Sequence, residues 1–267
     1  MQRRHFAAAL AAATAGLATA GTVTAGTANA ATHHPGAVPG GDAALLRTML
    51  AALSEELDDR QTARTLVPCL QDIGFDWHPE TAPLEELDFI VAYGFGNRAP
   101  AGGGDPSKVL YEPGPVNAEL ADTVARVRAK RDVPVYAQWE IARFLDSKYG
   151  MDRVVSIEPV IAPDGTITYL STDGVAAQVV EARKQLPGGI GTAGVIGFRD
   201  HVKRCVLTTR DRGMTAYAPR GFAMPGTYDP ESGQPWTRRR DLYLATDMMA
   251  QWTMLQKKLI TAAYPNG

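Results

Sequence analysis

The sequence predicts an α/β domain in which a mainly parallel sheet of about five strands lies between two layers of helices. Five short apolar runs have the length of buried strands, and segments with helical spacing separate them. Strand–helix alternation of this kind is typical of a parallel sheet that is covered on both faces. A hydrophobic content of 45% and a charged content of 21% are ordinary for a globular chain.

Residues 1–30 are expected to be an export signal that precedes the fold. Arg3 and Arg4 stand before a weakly apolar stretch of Ala, Thr and Gly, and Ala28-Asn29-Ala30 ends it with an A-x-A cleavage pattern. Because the paired arginines resemble the twin-arginine class of signals, we expect a secreted or extracytoplasmic protein. The alternative is a permanent membrane anchor, for which this stretch is poorly hydrophobic. Residues 31–41, rich in Pro and Gly, are expected to form a linker before a single domain at 42–267.

The charge balance disfavours two classes of partner. The chain has 27 basic and 29 acidic residues, and loss of Arg3 and Arg4 with the signal would leave 25 against 29, a net charge of −4. An acidic balance fits neither a nucleic-acid footprint nor attraction to anionic lipid. No second apolar run reaches spanning length, so we expect no stable membrane insertion after cleavage, and a small molecule as the partner. Cys69 and Cys205 could pair or remain two buried thiols, and the sequence leaves both open.

The expected elements follow one another with short connections. The strands are expected over 87–93, 134–138, 154–158, 193–197 and 214–218. The helices are expected over 42–57, 61–66, 117–127, 140–149, 173–186, 201–209 and 237–263. Asp42 and Asn117 suit helix N-caps, and Pro68 is expected to perturb the end of the second helix. The turn signal at 163–166 predicts a small hairpin between 160–161 and 167–169.

Candidate functional residues follow the strands, because ligands of a parallel sheet bind beyond the carboxyl ends of its strands. These residues are Gly94, Gly96 and Asn97 after the first strand, Gln138, Trp139 and Glu140 after the second, Glu158 after the third, and His201 and Arg204 after the fourth. The set brings acids, amides, a histidine and an arginine to one edge of the sheet.

His201 and Arg204 are the most specific of these candidates. Three positions apart in a first helical turn, they share nearly the same helix face. The imidazole of His201 could act as a general acid or base, and the guanidinium of Arg204 could bind a phosphate or carboxylate. The alternative is a surface histidine beside a solvated arginine.

Glu140 and Glu158 are candidate bases or hydroxyl-binding groups. Both could instead be structural, since acids favour helix N-termini. Gly94 and Gly96 could let backbone amides approach an anion, or could simply permit a turn. A nicotinamide site is not favoured, because Ala99 replaces the third glycine and no acid ends the next strand at the expected distance. No metal site is predicted, because no two histidines have ligand spacing on one helix.

Residues 87–219 resemble the SanA/YdcF/ElyC-like proteins. The similarity is carried by 87–94, by Arg153–Glu158 (RVVSIE), by Ser171-Thr172 and by Phe198–Arg204 (FRDHVKR). The resemblance implies a Rossmann-like three-layer sandwich with a cleft at the carboxyl edge of its sheet, and it adds Thr172 to the ligand-binding set. One member of the family is described as binding S-adenosylmethionine, which makes that cofactor a possibility here. Ala137-Gln138-Trp139 replaces the Ser-Gly-Gly of the family, which implies a reshaped pocket.

Three functions are consistent with these residues. The first is an exported enzyme, a hydrolase or transferase, that binds a small anionic or nucleotide-like ligand, with His201 as acid or base and Arg204 as the anion clamp. The second is a non-catalytic protein of the cell envelope that uses the same cleft for binding. The third is a biosynthetic enzyme that acts on an organic substrate in a pocket shaped by Tyr93 and Trp139. Fold alone does not choose among them.

Overall fold

The structure is a computed structural model that describes residues 41–105 and 107–266. The expected signal at 1–30 and nearly all of the linker at 31–41 lie outside the described residues. The chain separates into two compact units, 1–45 and 46–267. Of the first unit only 41–45 are described, as the beginning of helix α1, and the second contains the whole sheet. In the described part of the chain, no helix combines the length and the apolar character needed to cross a membrane.

A six-stranded parallel sheet forms the centre of the second unit and confirms the predicted α/β class. The strands are β1 (Thr81–Ala82), β2 (Phe89–Ala92), β3 (Val135–Gln138), β4 (Val154–Ile157), β7 (Thr192–Ile196) and β8 (Thr215–Pro219). Their order across the sheet is β1-β8-β7-β2-β3-β4, and every pair is parallel. The sequence predicted five of them. It missed β1, because two residues are too short to produce an alternating or apolar pattern.

Seven α-helices and one hairpin complete the described residues. The helices are α1 (Gly41–Leu57), α2 (Arg60–Phe75), α3 (Pro115–Arg128), α4 (Trp139–Tyr149), α5 (Thr172–Lys184), α6 (Val202–Asp211) and α7 (Arg240–Ala263). The hairpin pairs β5 (Val160–Ile161) with β6 (Ile167–Thr168) in antiparallel fashion, as the turn signal predicted.

The side chains of β2 show why the sheet is covered on both faces. Phe89 and Val91 belong to the apolar cluster that contains the inner faces of α5 and α6, whereas Ile90 and Ala92 belong to the cluster of α3 and α4. Successive strand side chains point to opposite faces, so a strand buried on both sides reads as the unbroken apolar run FIVA. The two clusters are the cores of a three-layer arrangement.

Two predicted helix boundaries and one predicted N-cap differ from the structure by three residues or more, each for a local reason. Helix α2 continues through Pro68 to Phe75 and buries Ala63, Val67 and Ile73 on one face, and this packing outweighs the loss of one backbone hydrogen bond. Helix α3 is capped at Gly114 and starts at Pro115, so Asn117 lies inside the first turn. Helix α7 starts at Arg240 rather than at residue 237, because Pro235–Thr237 form a separate 3-10 turn.

Candidate functional site

A cavity of about 220 Å³ lies at the carboxyl edge of the sheet, next to β2, β3 and β7. The chain runs from β2 outward to β3 and β4 and then returns to β7 on the other side of β2. This reversal is the switch point at which ligands of such sheets bind. Seven of the predicted site residues line the cavity, namely Gly94, Gly96, Gln138, Glu140, Thr172, His201 and Arg204.

Three predicted site residues lie outside the cavity lining. Asn97 is buried behind the loop that follows β2, where its backbone oxygen accepts hydrogen bonds from Gly233 N and Ser232 Oγ. Trp139 is buried outside the lining, and its ring lies 6.4 Å from that of Tyr169 between centroids, with the two planes tilted by 37°. Glu158 lies at the surface, where it pairs with Arg143 at 3.1 Å.

The Gly94–Gly96 loop is held in place by side chains of neighbouring elements. Asn117 Oδ1 accepts a hydrogen bond from Phe95 N at 2.9 Å, and its Nδ2 donates to Gly96 O at 2.8 Å. Gln138 Oε1 accepts from Gly94 N at 3.1 Å. The expected N-cap residue of α3 therefore fixes the loop instead.

Gly94 and Gly96 are required at this place for different reasons. A Cβ on Gly94 would lie only 3.1 Å from Glu140 Oε2, so this glycine makes room for the carboxyl group. Gly96 has a φ of +66°, which L-residues with a side chain rarely adopt. The turn explanation therefore accounts for Gly96, and the space needed by Glu140 accounts for Gly94.

Glu140 is the buried acid of the cavity. Its side chain extends from the first turn of α4, the residue is 3% exposed, and Oε2 has no hydrogen-bond partner among the described residues. Burial raises the pKa of Glu140 to about 8, because a charged carboxylate loses its hydration there; the helix N–H and Gln138 oppose the rise. At neutral pH Glu140 is consequently a neutral acid with a proton to donate.

His201 is the base that faces the same cavity. It caps α6, is 4% exposed, and its Nε2 lies 3.3 Å from Thr172 Oγ1. Burial and the positive charge of Arg204 lower the pKa of His201 to about 4, although Asp247 opposes the shift. The imidazole is thus neutral at pH 7, and one ring nitrogen carries an available lone pair.

Arg204 is bound by residues of the last helix. Its Nε donates to Asp247 Oδ1 at 2.5 Å, and its other nitrogens donate to Tyr243 OH at 3.2 Å and to Thr172 Oγ1 at 3.3 Å. Burial alone would raise the pKa of Asp247, but His201 and Arg204 lower it to about 2. The guanidinium charge is therefore compensated by Asp247 within the protein, and the binding of an anion by Arg204 stays a prediction.

Sequence reasoning missed the contribution of α7. Tyr243, Asp247 and Gln251 are all buried, and Gln251 Nε2 donates to Asp247 Oδ2 at 2.8 Å. The three residues are four positions apart and share one helix face. That polar spacing on the inward face of a long helix is the signal that could have identified them.

The residues of the cavity can be compared with two ligands considered from the sequence, a metal ion and S-adenosylmethionine. Among the described residues, no three His, Cys, Asp or Glu side chains form a group that could hold an ion. S-adenosylmethionine, which the family resemblance suggested, does not fit these residues well: its sulfonium is a cation, whereas Glu140 is neutral and Asp247 is already paired.

The comparisons with known proteins leave the site to be interpreted from its own geometry. No protein-family model matches this chain, and no similar protein was found among curated sequences or solved structures.

Proposed function

We propose that this protein is an exported enzyme that binds a small anionic ligand in the cavity at the carboxyl edge of its sheet and transfers protons between that ligand, Glu140 and His201. The similarity of 87–219 to the SanA/YdcF/ElyC-like proteins is compatible with this proposal and remains a prediction.

The observation that carries the proposal is that Glu140 and His201 are both buried and line the same cavity, where burial shifts their pKa values in opposite directions. Glu140, with a pKa of about 8, holds its proton at neutral pH, and His201, with a pKa of about 4, does not. A carboxylic acid and a neutral imidazole that line the same cavity form an acid–base pair that is ready at the same pH. Oε2 of Glu140 has no hydrogen-bond partner among the described residues and is available to a ligand.

The preference for an anion follows from the helices that begin at the cavity. Helices α4, α5 and α6 all start with residues that line it or flank it. Each helix N-terminus carries a partial positive charge and N–H groups that lack intrahelical acceptors. The charges of Arg204 and Asp247 compensate each other. The partial positive charges of these helix N-termini therefore remain to attract an anion to the cavity.

Anion binding can be tested by titrating 15N-labelled protein with inorganic phosphate and, separately, with adenosine monophosphate. We expect saturable shifts of the amide signals of Glu140, Thr172 and Asp173. Affinity should fall above pH 8, where Glu140 ionises and repels the anion. Glu140→Gln should remove that fall, and Glu119→Gln, on an exposed position of α3, should behave as the wild type. Absence of saturable shifts at these amides would overturn the proposal.

The catalytic part requires the natural ligand, which native mass spectrometry of the purified protein can detect if it co-purifies. With that ligand as substrate, His201→Ala should lower turnover about a hundredfold or more, because general acid–base catalysis contributes that much. Turnover that follows only the folded fraction of the variant would indicate a structural histidine.

We also propose export through the twin-arginine route, with cleavage near Ala31. Arg3 and Arg4 support this assignment, as does the Ala28-Asn29-Ala30 pattern. Substitution of both arginines by lysine should block export. Unimpaired export of that variant would indicate the general secretory route, and an intact N-terminus in a membrane fraction would indicate an anchor.

A further inference from the structure

Thr172 stands at the meeting point of the acid–base cavity and a second, larger space. The larger space is a groove of about 810 Å³ between α5, α6 and α7, whose lining includes Ala250, Met254 and Lys257. Ser171, Thr172 and Arg204 line both the groove and the cavity. A molecule with a small reacting group in the cavity can therefore place a longer portion in the groove, and Thr172 lies at the junction.

The hydroxyl of Thr172 is bound by a base and by a cation. Its Oγ1 lies 3.3 Å from His201 Nε2 and accepts a hydrogen bond from Arg204 at 3.3 Å. With the arginine as donor, the remaining partner of the hydroxyl proton is the lone pair on Nε2. The same contact keeps the proton of the neutral imidazole on Nδ1, which faces Asp247 Oδ1 at 3.5 Å.

The series Asp247, His201 and Thr172 thus has the order of roles found in acyl-transfer triads: an acid that orients an imidazole, an imidazole that accepts a proton, and a hydroxyl that loses it. The 3.5 Å contact is longer than a hydrogen bond, and Nδ1 has no acceptor within bonding distance among the described residues. Catalytic hydrogen bonds are often long before the ligand binds.

The position of Thr172 at the start of α5 supplies the remaining requirement of acyl transfer, which is a pair of N–H groups that can stabilise an oxyanion. Ser171 caps the helix by accepting a hydrogen bond from Gly174 N at 3.2 Å, and the N–H groups of Thr172 and Asp173 have no acceptor in the described part of the chain. Two N–H groups at a helix N-terminus, next to a nucleophile, can stabilise the oxyanion of a tetrahedral intermediate.

We propose that Thr172 is a nucleophile and that the substrate is a carboxylic ester whose longer portion occupies the groove. Oγ1 attacks the carbonyl carbon while its proton passes to His201 Nε2. The bond from carbon to the leaving oxygen then breaks, and His201 returns the proton to that oxygen, which departs as an alcohol. Water, deprotonated by His201, then attacks the carbonyl carbon of the threonine ester. The bond from that carbon to Oγ1 breaks, His201 returns the proton to Oγ1, and the acid is released. This rests on the proposed function and deepens it, because His201 is the base in both and the N-terminus of α5, proposed above to attract an anion, stabilises the anionic oxygen of the intermediate.

A fluorophosphonate, which phosphonylates activated hydroxyls, tests the nucleophile directly on the mature protein. We expect one adduct by intact mass spectrometry, which peptide mapping places on Thr172. Thr172→Ser should retain labelling, and Thr172→Val and His201→Gln should react at least about a hundredfold more slowly. Thr253→Val, on the exposed side of α7, should react as the wild type.

The outcomes separate this inference from the function on which it rests. An adduct on Ser171, or equal labelling of folded Thr172→Val, overturns the nucleophile. No labelling of a wild type whose amides still respond to inorganic phosphate overturns the nucleophile alone. No labelling together with no phosphate response overturns both proposals. A circular dichroism melt of each variant identifies loss of folding.

Discussion

Asp247 on the C-terminal helix accepts a hydrogen bond of 2.5 Å from Arg204 on α6, and both side chains are largely removed from water. The two residues are 43 positions apart in the sequence. Their contact joins the last helix to the element that presents His201 to the cavity. The C-terminal helix is therefore part of the site as well as a covering of the sheet.

Asp247→Asn should be strongly destabilising. The substitution keeps the shape of the side chain but leaves the guanidinium of Arg204 buried without a counter-charge, a loss that typically costs about 3–5 kcal/mol. Urea denaturation at pH 7 measures the free energy of unfolding. Asp241→Asn is the matched control, because Asp241 forms an exposed pair with Arg239 and exposed pairs contribute little. Equal effects of the two substitutions would contradict the assignment of the buried pair.

The stability that Glu140→Gln gains over the wild type should increase as the pH rises. Below pH 4.5, the ordinary pKa of the group, both the folded and the unfolded wild type hold the proton. Between pH 4.5 and about 8 the unfolded chain has lost it and the folded protein has not, so the wild type loses about 1.4 kcal/mol of stability per pH unit from this group. Glutamine does not titrate and avoids that loss.

Urea denaturation at pH 5, 6, 7 and 8 checks this difference between the variant and the wild type. His201 titrates in both proteins and therefore drops out of the comparison. Glu119→Gln, which removes an exposed carboxyl group of α3 outside the cavity, is the matched control. If the difference between Glu140→Gln and the wild type stays constant over this range, Glu140 is ionised in the folded protein and is not the acid of the site.

Gly96→Ala should destabilise the loop after β2 more than Gly165→Ala destabilises the hairpin. Both glycines have positive φ, at +66° and +82°, and alanine in that region costs about 1–2 kcal/mol. A Cβ at Gly165 meets nothing within 4 Å, whereas one at Gly96 lies 2.9 Å from Ser232 Oγ. The difference between the losses of unfolding free energy in the two variants therefore measures the effect of the close approach between residue 96 and Ser232. Equal losses would show that the loop and Ser232 can separate easily.

The sequence predicted the parts of the fold that repeat a local pattern. The unbroken apolar run at β2 predicted a buried strand, and its carboxyl end identified Gly94 as a site residue. The carboxyl end of β7 identified His201 in the same way. Glu158 was predicted as a site residue from its place after β4, but β4 is the edge strand, so its end lies at the surface and away from the switch point. Strand order, which is not a local property, decides this.

Asp247 and Asn117 show that a local sequence pattern does not identify the contacts between distant elements. Asn117 looked like a helix cap because asparagine favours that position, but Pro115 starts the helix earlier and leaves the amide to bind the glycine loop. In the sequence, Asp247 is one of several polar residues on a helix of 24 residues. Only the packing of α7 against the site shows which of its faces is buried.

The protonation of His201 tests the central claim most directly, and 15N NMR of protein labelled at histidine measures it. The account predicts that His201 remains neutral from pH 5.5 to 8, with the proton on Nδ1 and an unprotonated Nε2 that accepts from Thr172, and that inorganic phosphate shifts the Nε2 signal. A protonated imidazole at pH 7, or a proton on Nε2 of the neutral ring, would contradict it.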